Sequence, residues 1–161
     1  MLERVMNYCN NFFVRTLEGH TYTIVADGIE GTFDNTYVAG QYICLDGTIL
    51  NDGVYKIESV TSTKLTVEET LSAEDTDEIT YLYGLAVPST FVTLVDEINT
   101  YDDNVTYGIK SESQGNRSVT YGSDGGTSSG DSTWQSVYSK SLAPYKRMYC
   151  DKDTFYKARW F

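Results

Sequence analysis

Bases are scarce in this chain, and unevenly so. Twelve Lys and Arg stand against 23 Asp and Glu, a net charge of −11 over 161 residues. No base lies between Lys64 and Lys110, while ten acids lie between Glu68 and Asp103. A surface of that sign gives phosphates no counter-charge, which excludes a nucleic-acid footprint over the whole molecule. Histidine is reduced to His20, and cysteine to Cys9, Cys44 and Cys150. One histidine and scattered cysteines make no zinc-ligand pattern. Three thiols make no disulfide framework and fit folding in a reducing compartment. No apolar run approaches the ~18–20 residues of a membrane helix, so no membrane contact is expected. The opening residues, with Glu3, Asn7, Asn10 and Asn11, do not read as a signal peptide. Phosphate-loop and dinucleotide fingerprints are missing, and no cofactor is expected.

What is present is a core and an excess of tyrosine. Hydrophobic residues make up 40% of the chain, enough for one packed domain. Fourteen Tyr, six Phe and two Trp lean the composition toward assembly, since Tyr and Trp are enriched at protein interfaces. Charge also separates along the chain. Residues 1–139 hold six bases and 21 acids, whereas Lys140, Lys146, Arg147, Lys152, Lys157 and Arg159 meet only Asp151 and Asp153 in the last stretch. An acidic body with a short basic, aromatic tail points to a docking role for that tail.

Periodicity gives helix, sheet, helix, loop, helix, tail. Leu2, Val5, Met6, Cys9, Phe12, Phe13 and Leu17 recur at spacings of three and four, which predicts an amphipathic helix over 2–17. From His20 to about Leu85 the period shortens to two, with Asp27-Gly28, Asp46-Gly47 and Asp52-Gly53 as turn signals. That predicts four to six antiparallel strands. Pro88 opens a second helix, carrying Phe91, Val95 and Ile98 to about residue 102. Gly108, Gly115, Gly122, Gly125, Gly126 and Gly130 mark a mobile loop. A last helix over 132–143 carries Trp134, Val137 and Leu142, with Pro144 at its end. The expected fold is α+β: a small bundle of three helices, an inserted antiparallel β-module and an extended C-terminal tail. Its parts are a helical core of 1–19 and 87–146, the β-module 20–86, and the tail 147–161.

Candidate catalytic patterns do not assemble. Gly126-Thr-Ser-Ser-Gly130 matches the nucleophile-elbow spacing around Ser128, but a Gly-Ser loop precedes it and the only histidine lies far upstream. Glu74, Asp75, Asp77 and Glu78 lack the alternating ligand spacing of a calcium loop and read as a solvated hairpin tip. No carboxylate pair stands out for glycoside hydrolysis.

The order of segments resembles the head-to-tail connector proteins of long-tailed bacteriophages, also called adaptor or head-completion proteins. The resemblance runs from about residue 2 to residue 146. Its most specific piece is Lys110-Ser-Glu-Ser-Gln-Gly115 followed by Ser118-Val-Thr-Tyr121. Trp134-Gln-Ser-Val-Tyr138 and Leu142-Ala-Pro-Tyr-Lys146 add to it. It implies a virion protein, made in the bacterial cytoplasm and seated as a ring of about twelve copies beneath the portal. Such a ring joins the portal to a downstream neck, stopper or tail protein. Double-stranded DNA meets it only in passage, and no catalysis is implied. An acidic channel wall suits that passage, because DNA does not adhere to it.

Two groups of interface residues follow. Lys146, Arg147, Tyr149, Phe155, Tyr156, Lys157, Arg159, Trp160 and Phe161 form a basic, aromatic arm expected to dock on the portal or a neighbouring subunit. Lys110, Ser111, Glu112, Ser113, Gly115 and Arg117 lie in the loop expected to face a neighbour or the lumen. Another neck, tail or baseplate protein is the alternative, with the β-module as its main body. A small carbohydrate-binding or hydrolase domain is the other.

Overall fold

The computed structural model describes residues 1–33, 36–75, 79–104, 111–114, 117–120 and 133–152. The first helix, α1, runs only Leu2–Cys9 and turns Val5, Met6 and Cys9 inward. It stops because Asn10 enters the left-handed region, with φ 52°, and its N–H closes back on the Asn7 carbonyl. Asparagine tolerates that conformation better than most residues. The chain then becomes a strand, β1 (Val14–His20), instead of continuing as a helix to Leu17. Val14 and Thr16 are β-branched and favour extended backbone. The strand gains a ladder with β8 (Thr80–Leu85), from His20 opposite Thr80 to Val14 opposite Leu85.

Between those partners lie β2 (Thr23–Val25), β3 (Gly28–Glu30), β4 (Tyr42–Asp46), β5 (Gly53–Val60), β6 (Lys64–Val67) and β7 (Glu74–Asp75). They complete an eight-stranded antiparallel sheet in the order β1-β8-β4-β5-β6-β3-β2-β7. A register irregularity between Ile57 and Ser59 interrupts the β5–β6 ladder, and such bulges sharpen local twist. Gly28 begins β3 where a Cβ would collide with the Leu65 carbonyl of β6, so close pairing there requires glycine.

This sheet overturns the expected architecture. Its eight strands are the body of the molecule, and the helices are short-to-moderate pieces applied to it rather than a bundle carrying a β-insert. The expected boundary between residues 19 and 20 falls inside β1. The helix expected over 132–143 breaks at Tyr138 into α3 (Trp134–Val137) and α4 (Ser139–Leu142), followed by a 3-10 turn through Pro144. Helical spacing misled because Phe12 and Phe13, just ahead of β1, and Leu17 at its centre continue the α1 stripe at spacings of three and four.

Alternation along β4 and β8 places the core. Ile43, Leu45 and Leu82 face one side, packing with Tyr22, Ile24, Ile29, Phe33, Tyr37, Ile57 and Leu65. Cys44, Tyr83 and Leu85 face the other, packing with Val5, Met6, Cys9 and Phe12. Successive strand residues point to opposite faces, so these two strands are a wall buried on both sides. The second side also receives Phe91, Val95 and Ile98 from α2 (Ser89–Asn104), and Trp134 and Leu142 from the late helices. The Phe91 ring meets Phe13 at 4.8 Å and Tyr145 at 4.9 Å, both edge-on. Replacing Phe91 with Ala should cost about 3–5 kcal/mol, the usual range for a buried ring in a packed core. A urea titration with an unchanged slope would measure that loss.

Candidate functional site

The residues expected to dock begin on the chain's own body. Tyr145 and Arg147 offer their carbonyls to the side-chain amides of Asn11 and Asn10, at 2.8 and 3.3 Å. The Arg147 N–H donates to the Cys9 carbonyl at 2.8 Å, exactly where α1 has run out of internal partners. Lys146 donates to the Tyr8 hydroxyl at 2.9 Å and sits 4.0 Å from the Tyr8 ring centroid. Then Asp151, 7% exposed, turns its carboxylate onto the α1–β1 junction. One oxygen accepts the Phe12 N–H at 2.6 Å and the other the Val14 N–H at 2.9 Å. Between those two donors Phe13 sits at φ 56°, a strained conformation for a bulky residue. Asn11 adds its side-chain oxygen to the Phe13 N–H at 3.1 Å.

Lys152 reaches across the same surface. Its ammonium pairs with Asp46 at 3.1 Å, lies 3.9 Å from the Cys44 sulfur, and stands over the rings of Phe12 and Tyr83 at 5.0 and 5.7 Å. Burial works against its charge, yet the fields of Cys44, Asp46 and Tyr83 outweigh it and hold its pKa above the ordinary value. Burial pushes the Cys44 thiol up to about 12, with Asp46 adding and Lys152 opposing. Burial, then Asp46, likewise pushes the Tyr83 hydroxyl up to about 12.

Of the nine residues assigned to the docking arm, Lys146 is therefore engaged on Tyr8 and the Arg147 backbone on α1. Tyr149 is exposed, beside an exposed Met148. Phe155, Tyr156, Lys157, Arg159, Trp160 and Phe161 lie outside the described residues. The expected mobile loop contains a ladder: β9 (Ser111–Gln114) pairs with β10 (Arg117–Thr120), Gln114 opposite Arg117 and Ser111 opposite Thr120. Ser111, Glu112 and Ser113 lie in β9 and Arg117 opens β10, while Lys110 and Gly115 fall outside the described residues. The Gly-Asn pair between the strands is a hairpin signal that the glycine count concealed. Among the described residues this hairpin is a sheet by itself, separate from the main eight strands.

A third feature escaped the sequence reading. The β4–β5 turn carries Ile49 and Leu50, 85% and 66% exposed. Gly47, at φ 90°, lets the chain leave β4 sharply. Asp52 accepts hydrogen bonds from the Thr48 N–H and hydroxyl, at 2.8 and 2.9 Å, and that hydroxyl accepts the Asn51 N–H at 2.9 Å. The Asn51 side chain, buried, donates to the Ser72 carbonyl at 2.8 Å and to Glu74 at 2.9 Å, and accepts the Ser72 N–H at 2.8 Å. The Tyr55 hydroxyl donates to the Asn51 carbonyl at 3.0 Å. The legible signal was an Ile-Leu pair between two Asp-Gly turn markers.

His20 is exposed at the end of β1, edge-on to Tyr22 at 5.9 Å. Ser128 and its flanking glycines lie outside the described residues. Among the described residues no three His, Cys, Asp or Glu converge on a common point, and no helix is long and apolar enough to cross a membrane. Cys9, Cys44 and Cys150 form no disulfide with one another. No protein-family model, characterised protein or solved structure matches the chain.

Two outcomes follow from this seam. Asp151→Ala strands two N–H donors around a strained residue and should cost about 2–4 kcal/mol, read by urea denaturation, with Asp151→Asn recovering part of it. Stability should also fall on the alkaline side. Cys44 and Tyr83 are neutral acids whose folded pKa is raised, and Lys152 is a cation whose folded pKa is raised. For all three the contribution is whole below the unfolded value and lost as pH climbs. The Cys44 thiol, ordinarily at 9.0, and the Cys9 thiol, which burial also raises from 9.0, set where the decline begins. Urea midpoints measured from about pH 7 to pH 11 should stay level and then drop, less steeply in Cys44→Ala.

Proposed function

We propose that this chain is a structural subunit of a bacteriophage head-to-tail junction. In that role it forms a ring beneath the portal, joins the capsid to a downstream neck or tail protein, and continues the channel through which double-stranded DNA passes. It acts by assembly and not by catalysis, and its place is the virion, after synthesis in the host cytoplasm. The observation that carries this reading is the hairpin β9–β10. It spans the segment where the connector resemblance is most specific, and it pairs with no strand of the main sheet. An arm whose outer strand edges pair with no other strand among the described residues is a natural contact for an adjacent copy. The net charge of −11 supports a channel wall that does not hold DNA.

The dominance of the sheet favours a second reading within the same class, a tail-completion or baseplate protein in which the sheet is the body and the helices decorate it. Purified portal and tail components separate the two. On the first reading the chain co-elutes with portal rings in size exclusion, and electron micrographs show an added ring at the portal. Binding to tail components alone would transfer the chain to the second reading. Binding to neither would remove both.

The docking arm has its own test. Removal of residues 153–161 leaves Asp151 and Lys152 in place, so the fold should persist by circular dichroism. Portal or subunit contact should weaken by about tenfold or more, as expected on loss of aromatic and arginine anchors.

A further inference from the structure

Ile49 and Leu50 are held out, not merely left out. Single exposed aliphatic residues are ordinary on a protein surface. Here two adjacent ones ride on a turn whose conformation is fixed from below by the buried Asn51 and from the side by Asp52. A surface already ordered in one shape loses little further freedom on binding. Ile79, 58% exposed, stands at the same end of the sheet, its backbone against Gly47. Acids rim the turn: Asp52 within it, Glu74 bonded to Asn51, and Asp75 next along β7. A complementary occupant is aromatic or aliphatic and carries bases.

The chain contains such a segment. Residues 153–161 hold Phe155, Tyr156, Trp160 and Phe161 with Lys157 and Arg159, against the single acid Asp153. On the described residues of one chain Ile49 and Leu50 stay exposed, and a second copy can supply the segment. We propose that the acid-rimmed β4–β5 turn receives residues 153–161 of another copy of this chain. The contact joins two different surfaces, so it repeats around a closed ring, and only that repetition rests on the ring-subunit reading. The basic segment approaches by charge and is held by its aromatic side chains.

Sedimentation of the full chain at rising concentration tests this, with two double variants. Ile49→Ser with Leu50→Ser alters the turn, and Phe155→Ser with Trp160→Ser alters the segment. Each should raise the dissociation constant for self-association by about tenfold or more. The turn variant should unfold at the wild-type temperature, because its altered residues are exposed. Lys157→Glu with Arg159→Glu gives a third reading that leaves every apolar group in place, and it should weaken association most at low salt. An equimolar mixture of the turn and segment variants has one intact turn and one intact segment per pair, so it should recover association but stop at the heterodimer. A wild-type chain that stays monomeric, a turn variant that associates normally, or a mixture that stays monomeric would each overturn the proposal. Portal binding, measured separately, keeps the two readings apart. Self-association without portal binding would defeat the connector reading and leave this contact standing. Rings formed on portal by the turn variant would do the reverse.

Discussion

The Asp151 carboxylate is the constraint on which the rest of the molecule hangs. It accepts the N–H groups of Phe12 and Val14, 139 and 137 residues away in sequence. By gripping both sides of Phe13 it holds a backbone that a bulky side chain would otherwise leave. That bend converts a helix into an edge strand within four residues. It also turns Phe12 into the core and sets Phe13 against Phe91. Without it, the angle between α1 and β1 would rest on the β1–β8 ladder and on the apolar cluster shared with Trp134 and Leu142.

The second organising element is the β4–β8 wall. Ile43 and Leu45 belong to one apolar cluster, while Cys44 between them belongs to the other. Leu82 and Tyr83 divide in the same way. A side chain replaced in one cluster therefore presses on strands that the other cluster also needs, since close-packed interiors transmit small displacements. Lys152 ties the seam to this wall through Asp46 at the end of β4. Residues 145–152, α1 and the sheet thus share contacts on the same side of this wall.

Much of the sheet was legible in the amino-acid pattern. The alternation at Tyr22–Ile24, Gln41–Leu45, Tyr55–Ile57 and Ile79–Tyr83, with the Asp-Gly turns, marks strands that the structure contains. The inward residues of α2, from Phe91 to Ile98, were equally plain in their spacing. What was hidden is what depends on distant contacts. Leu2 to Leu17 has a helical stripe, and only the left-handed Asn10 and the Asp151 bonds decide that it breaks. Asp151 itself looked like one of two acids diluting a basic tail. Its role needs a partner that no local window includes. Ile49 and Leu50 were visible as letters, but their exposure follows from the network around Asn51.

The Asp151 closure also bears on synthesis. Domains commonly begin to fold while the ribosome is still adding residues. Here β1 waits for β8, and the α1–β1 bend waits for residue 151. A nascent chain cannot lock the α1–β1 bend until residue 151 has emerged. Emergence of residue 151 thus becomes a checkpoint, and fragments cut before it expose an unsealed α1–β1 bend to proteolysis.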